Sequence, residues 1–79
     1  MRIKVRKIDW RPADWLRDTA GLKADVKGVY IDILSLIYSD GRAIDTDDIR
    51  LFSMLGNNKT VIKRCIKELI TRNFIIEND

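Results

Sequence analysis

The sequence predicts a mainly α fold with a small β component, built as one domain. Three observations lead there. Apolar residues recur at helical spacing in three separate stretches, whereas short apolar–polar alternation or a β-branched run appears only near the two ends. Between them, Gly, Asp and Asn punctuate the chain at short intervals. A length of 79 residues leaves room for one core and not two.

Ile3 and Val5 alternate with Arg2, Lys4 and Arg6, the two-residue period of a half-buried strand. Pro12 suits the first turn of a short helix running through Arg17, and Gly21 acts as a breaker beyond it. From Lys23 to Tyr38, Val26, Val29, Tyr30, Ile33, Leu36 and Ile37 keep helical spacing. Ile31, Leu34 and Tyr38 widen that stripe, so this is the helix expected to be most buried. Asp40-Gly41 ends it, and a turn leads to Ile44. Asp45, Thr46, Asp47 and Asp48 read as a helix start, a cap followed by carboxylates in the positively polarised first turn. Ile49, Phe52 and Leu55 then give an inward face, and Gly56 a stop. After an Asn57-Asn58 cap, a further helix is expected to about Arg72, with Ile62, Cys65, Ile66, Leu69 and Ile70 on one side. Phe74, Ile75 and Ile76 form a closing strand. The expected core comprises Val29, Tyr30, Ile33, Ile37, Phe52, Leu55, Ile62, Ile66 and Leu69.

Two short helices joined by a tight turn and braced by a third form the helix-turn-helix plan. An early and a late strand add the beginning of a wing. The sequence thus predicts a winged helix-turn-helix domain over residues 1–79, with a three-helix core, a short N-terminal helix and a two-strand β element. The wing is expected to be incomplete at the C-terminus.

Composition removes several kinds of chemistry. The chain has no His and one Cys, Cys65, which excludes an internal disulfide framework, an ordinary zinc site and imidazole-based catalysis. No nucleophile–base pair or phosphate-cradling glycine loop appears, so no enzyme activity and no cofactor are expected. Asp45, Asp47 and Asp48 lack the loop glycine and distal Glu of a calcium hand; capping explains them, and no metal is expected. Trp10 and Trp15 read as core or staple residues rather than base-stacking platforms. Cys65 falls on the inner side of its helix, as an inert thiol. No signal peptide or membrane span is visible, which makes a cytosolic setting the expectation.

Net charge is +3, but its distribution is uneven: residues 1–23 and 58–72 each carry +4, while residues 24–44 carry −1, 45–57 carry −2 and 73–79 carry −2. On the helix near residues 58–72, the side opposite Ile62 collects Thr60, Lys63, Arg64, Lys67 and Thr71, with Asn58 and Lys59 at its start. Arg and Asn make bidentate contacts to bases in the major groove, and a helix N-terminus favours phosphate. This face reads as a recognition helix or as an ordinary solvated surface. Arg2, Lys4, Arg6 and Lys7 read as phosphate-backbone contacts or as charges protecting an edge strand. Which reading holds turns on whether Lys63, Arg64 and Lys67 form an open face with the N-terminal basic residues or are neutralised by carboxylates. The alternative to DNA binding is a winged-helix module that docks a replisome or regulatory protein.

The residues from Asp9 to Thr19, Asp-Trp-Arg-Pro-Ala-Asp-Trp-Leu-Arg-Asp-Thr, then Leu22 and Gly28-Val29-Tyr30, resemble the opening of the YdaU-like domain of unknown function. Leu34, the acidic turn Asp45 to Asp48 and Leu55-Gly56 extend the likeness over about residues 8–76. Such domains stand at the N-terminus of phage and prophage replication proteins and look like winged helix-turn-helix modules. The resemblance therefore implies binding of double-stranded DNA in replication initiation, inside a bacterial host cell. It also implies a further segment, absent from this sequence, that contacts host helicase-loading proteins; a homodimer is compatible with it. Lys23 departs from the pattern, standing where a Ser or Thr usually caps the long helix.

Overall fold

The computed structural model describes residues 1–5, 11–54 and 59–78. Within them the order is β1 (Arg2–Lys4), α1 (Pro12–Asp18), α2 (Ala24–Asp40), β2 (Ile44–Asp45), α3 (Ile49–Met54), α4 (Lys59–Thr71) and β3 (Ile76–Glu77). The fold is mainly helical with a small antiparallel sheet. The places expected for Leu55, Gly56, Asn57, Asn58, Trp10, Arg6 and Lys7 lie outside the described residues.

The sheet has three strands where the sequence predicts two. Its order is β2-β1-β3, both pairings antiparallel, with Ile3 opposite Ile44 on one side and Glu77 on the other. The unforeseen strand, β2, is two residues long, too short to show a period. Asp45 belongs to it and is a local acceptor as well: its carboxylate takes the Asp47 N–H at 2.8 Å. Because β1 and β3 come from opposite ends of the sequence, no hairpin loop joins these neighbours.

One buried cluster unites the layers. α2 contributes Val26, Val29, Tyr30, Ile33, Leu34, Leu36 and Ile37; α4 contributes Ile62, Cys65, Ile66 and Leu69; Ile3, Ile44, Leu51 and Ile75 close it. Of the expected core, Phe52 is half-buried against this cluster rather than inside it. Two expectations about facing are corrected. Tyr38 does not widen the buried stripe: it is 54% exposed, since no described element packs fully over that side of the last turns of α2. Ile49, expected inward, is 76% exposed, and Leu51 is wholly buried instead. Ile49 is the first residue of α3, because β2 and the turn closed by Asp48 N–H to the Asp45 carbonyl use up residues 44–48.

The helix ends follow simple rules. Gly41 adopts φ 69°, the left-handed cap that Gly takes without a Cβ penalty, and gives its N–H to Ile37. Asn73, with φ 63°, turns the chain from α4 into β3, a conformation that Asn tolerates better than most residues. Lys23 precedes α2 without a side-chain cap; Asp25 supplies one acceptor nearby, taking the Val26 N–H at 2.8 Å. α1 has no buried residue, yet Trp15 stacks on Tyr30 at 5.3 Å between centroids, and Tyr30 meets Phe74 at 5.2 Å. Trp15 is therefore the staple that the sequence suggests.

Arg50 ties α3 to the end of α2. Its Nη1 and Nη2 donate to Asp40 at 3.0 and 2.6 Å, while Nε and Nη2 donate to Asp48 at 3.1 and 2.7 Å. These hydrogen bonds hold both carboxyls below their usual range. A depressed carboxylate contributes stability above its unfolded value, about 3.9, and loses it as pH falls through the folded values. Arg50→Gln is therefore expected to lower Tm at neutral pH and to flatten the decline of Tm between about pH 5 and pH 2. Thermal melts by circular dichroism across that range test it; parallel curves for parent and variant would refute the link.

Candidate nucleic-acid interface

α4 owes its direction to its inner side. Ile62, Cys65 and Leu69 are fully buried and Ile66 nearly so, which fixes the rotation of the helix about its axis. At 100° per residue, Thr60, Arg64, Lys67 and Thr71 then form the crest, with Lys63 on one shoulder. All five are exposed, as is Lys59. The structure thus brings Thr60, Lys63, Arg64, Lys67 and Thr71 onto one outer surface, with Lys59 at its flank beside Phe52.

Neighbouring carboxylates shape the charge of that surface. Lys63 Nζ lies 3.1 Å from Asp47, in the turn before α3, and Arg64 pairs with Asp25, in the first turn of α2. The Lys63 hydrogen bond holds the Asp47 carboxyl below its usual range. Lys67 has no ion pair among the described residues. Lys59 Nζ stands 5.3 Å from the centroid of Phe52, a cation–π contact that links the start of α4 to α3. The Thr71 hydroxyl donates to the Lys67 carbonyl at 2.9 Å, which leaves its lone pairs outward.

Arg2 and Lys4 do not extend this face. Ile3 between them points into the core shared with α4, so the pleat sends both cations to the opposite side of the sheet. Asp25 and Asp47 are the residues that reading the sequence missed. Asp25 is far from Arg64 along the chain and reaches it only because α2 packs on α4; Asp47 is explained locally as part of a helix start.

Beside the face runs a groove of about 420 Å³ between α4 and the sheet. Ile66 and Ile70 give it an apolar wall, Lys63 and Lys67 a basic edge, and Thr46 and Glu77 line the sheet side. Elsewhere, Cys65 is buried, and burial first and Asp25 second push its thiol up, away from the reactive thiolate. Among the described residues no group of three metal-ligating side chains converges. Nor is any described helix long and apolar enough to cross a membrane.

Together these features define a small α-rich domain that displays a polar, partly charge-balanced helix beside an antiparallel sheet. Comparison with family models, with curated proteins and with solved structures gives no match.

Proposed function

We propose that the domain binds double-stranded DNA through α4, as the winged helix-turn-helix part of a phage or prophage replication-initiation protein of the YdaU-like kind. The observation that carries this is the division of α4. Lys59, Thr60, Lys63, Arg64, Lys67 and Thr71 are exposed while Ile62, Cys65, Ile66 and Leu69 are buried, so the helix can meet a groove without unpacking. The order of elements supports it too: α3 and α4 are consecutive, α2 braces them and a sheet strand comes after.

The ion pairs to Asp25 and Asp47 do not oppose this reading strongly. Their cations are more than half exposed, where such pairs contribute little, and a phosphate can take the place of either carboxylate. Four cations, Lys59, Lys63, Arg64 and Lys67, give the expected electrostatics. Binding of random duplex DNA should fall with salt at a log–log slope of roughly −3.6, about −0.9 per phosphate contact. A fluorescence-anisotropy titration over several salt concentrations measures it. A flat dependence, or no binding at low salt, would refute the proposal.

A second reading, a module that docks a replisome or regulatory protein, draws on a specific observation: two of the three central cations are paired, and an apolar groove lies beside them. Duplex binding that is absent at every salt concentration favours it.

A further inference from the structure

The groove between α4 and the sheet has an apolar floor and a charge of opposite sign on each rim. Its α4 wall is two parallel rows spaced by one helical turn: Ile66 and Ile70 below, Lys63, Lys67 and Thr71 above. Its sheet wall follows from the register. Glu77 lies opposite Ile3 and so shares its side of the sheet, the side facing the core. Met1 is two residues before Ile3 and accepts the Thr46 N–H at 2.8 Å, so the pleat returns it to that side as well. Ile3 is wholly buried whereas Met1 is 45% exposed, so the helices leave this end of the inner side open. Lys67 on α4 and Glu77 on β3 are exposed and have no ion pair among the described residues, while Lys63 is engaged by Asp47.

Apolar residues at i and i+4, bordered by a cation on one side and an anion on the other, are answered in kind by a second amphipathic helix. We propose that the groove docks an amphipathic helix of a partner protein. Its apolar stripe lies on Ile66, Ile70 and Met1, its acidic border along Lys67 and its basic border along Glu77. The dimensions fit: from Lys63 to Thr71 the α4 wall runs about 12 Å at 1.5 Å per residue, roughly two turns. The volume of about 420 Å³ holds the apolar side chains of such a stretch. The mixed rims select the occupant, since a nucleic-acid strand or a uniformly acidic peptide would be repelled at Glu77. The site gives the protein-docking reading its partner chemistry and stands apart from duplex binding. One consequence alone rests on the duplex reading: Lys63 and Lys67 serve both surfaces, so helix and duplex exclude one another.

The test uses the whole chain and a fluorescein-labelled peptide of about 14 residues, long enough to be marginally helical alone. It carries Leu at i, i+4 spacing, Glu along one border of that stripe and Lys along the other. The peptide should bind, and a scramble of the same composition should bind about tenfold more weakly, because its stripe is no longer buried. A Pro at its centre should have the same effect, since it breaks the helix. Lys67→Glu puts an anion on both rims: it should weaken the Glu/Lys peptide and favour one with Lys along both borders. Glu77→Lys should do the converse and favour Glu along both borders. Both side chains are exposed, and circular dichroism confirms folding of the variants. In methyl NMR spectra of the parent, the Met1, Ile66 and Ile70 signals should shift on binding. Absence of binding, equal binding of the scrambled or Pro peptide, or indifference to both charge reversals would overturn the proposal. So would peptide and duplex held together on one domain. Duplex binding is measured separately: a chain that takes the peptide but no duplex refutes the duplex reading alone, and one that takes duplex but no peptide refutes this proposal alone.

Discussion

Ile33→Ala is expected to lower the unfolding free energy by about 2–5 kcal/mol, the range for emptying a well-packed aliphatic site. Ile33 is wholly buried midway along α2, in the cluster that α4 and the sheet share. Its neighbours in that cluster are themselves packed on several sides, so they cannot readily collapse into the space. A domain of this size has only about 5–15 kcal/mol in total, so the variant should be partly unfolded at modest temperature. Urea denaturation of parent, Ile33→Val and Ile33→Ala gives the comparison. Ile33→Val should cost only about 0.5–1.5 kcal/mol, which separates lost volume from a general intolerance of the position. If Ile33→Ala melts with the parent, α2 is not the centre of the core.

The second large effect concerns charge on α4. Replacing Lys63, Arg64 and Lys67 by Ala should remove about 2.7 from the magnitude of the duplex salt slope, roughly 0.9 for each lost phosphate contact. Stability should hardly move, since the side chains are exposed and the inner face is untouched. The ion pairs add a test in the opposite direction. Asp25→Asn and Asp47→Asn release Arg64 and Lys63 and remove two negative charges beside the phosphates, so duplex affinity should rise. Single substitutions divide the roles further. Lys67→Ala should weaken all sequences alike, whereas Arg64→Ala should cost about 1–3 kcal/mol mainly on a preferred site if Arg64 reads a base. Should the triple variant stay folded and bind DNA as the parent does, the face is only a solvated surface.

How far the sequence is legible depends on the range of the interactions involved. α2 and α4 are legible because each carries its own record: Val29, Ile33 and Ile37, and Ile62, Ile66 and Leu69, repeat at helical spacing whatever surrounds them. The outer face of α4 is then given by the inner one through geometry alone. β2 is not legible, because a two-residue strand exists only through its partner, and that partner is β1 from the other end of the chain. The start of α3 is misread for the same reason: with β2 unseen, the helix reads as beginning before Ile49. Tyr38 misleads because its spacing matches the buried stripe, while the choice between buried and exposed depends on what lies over the end of α2. Asp25 and Asp47 show the limit most clearly. Each looks complete within its own segment, and only the packing of α2 and α3 on α4 turns it into a counter-charge.

The middle strand of the sheet comes from the chain's first residues and is flanked by β2 and by β3 near its end. In terms of chain entropy, this makes the sheet the last closure. Ile3 meets Glu77 only when almost the whole sequence has been gathered into one loop. The helices need only local closures, while both ladders wait on a single segment of three residues. Release of that segment leaves β2 and β3 without a strand between them and uncovers the Ile3 side of the core. The domain is thus held like a strap whose two ends meet in one buckle: its helices can form early, but its cooperativity is decided at β1.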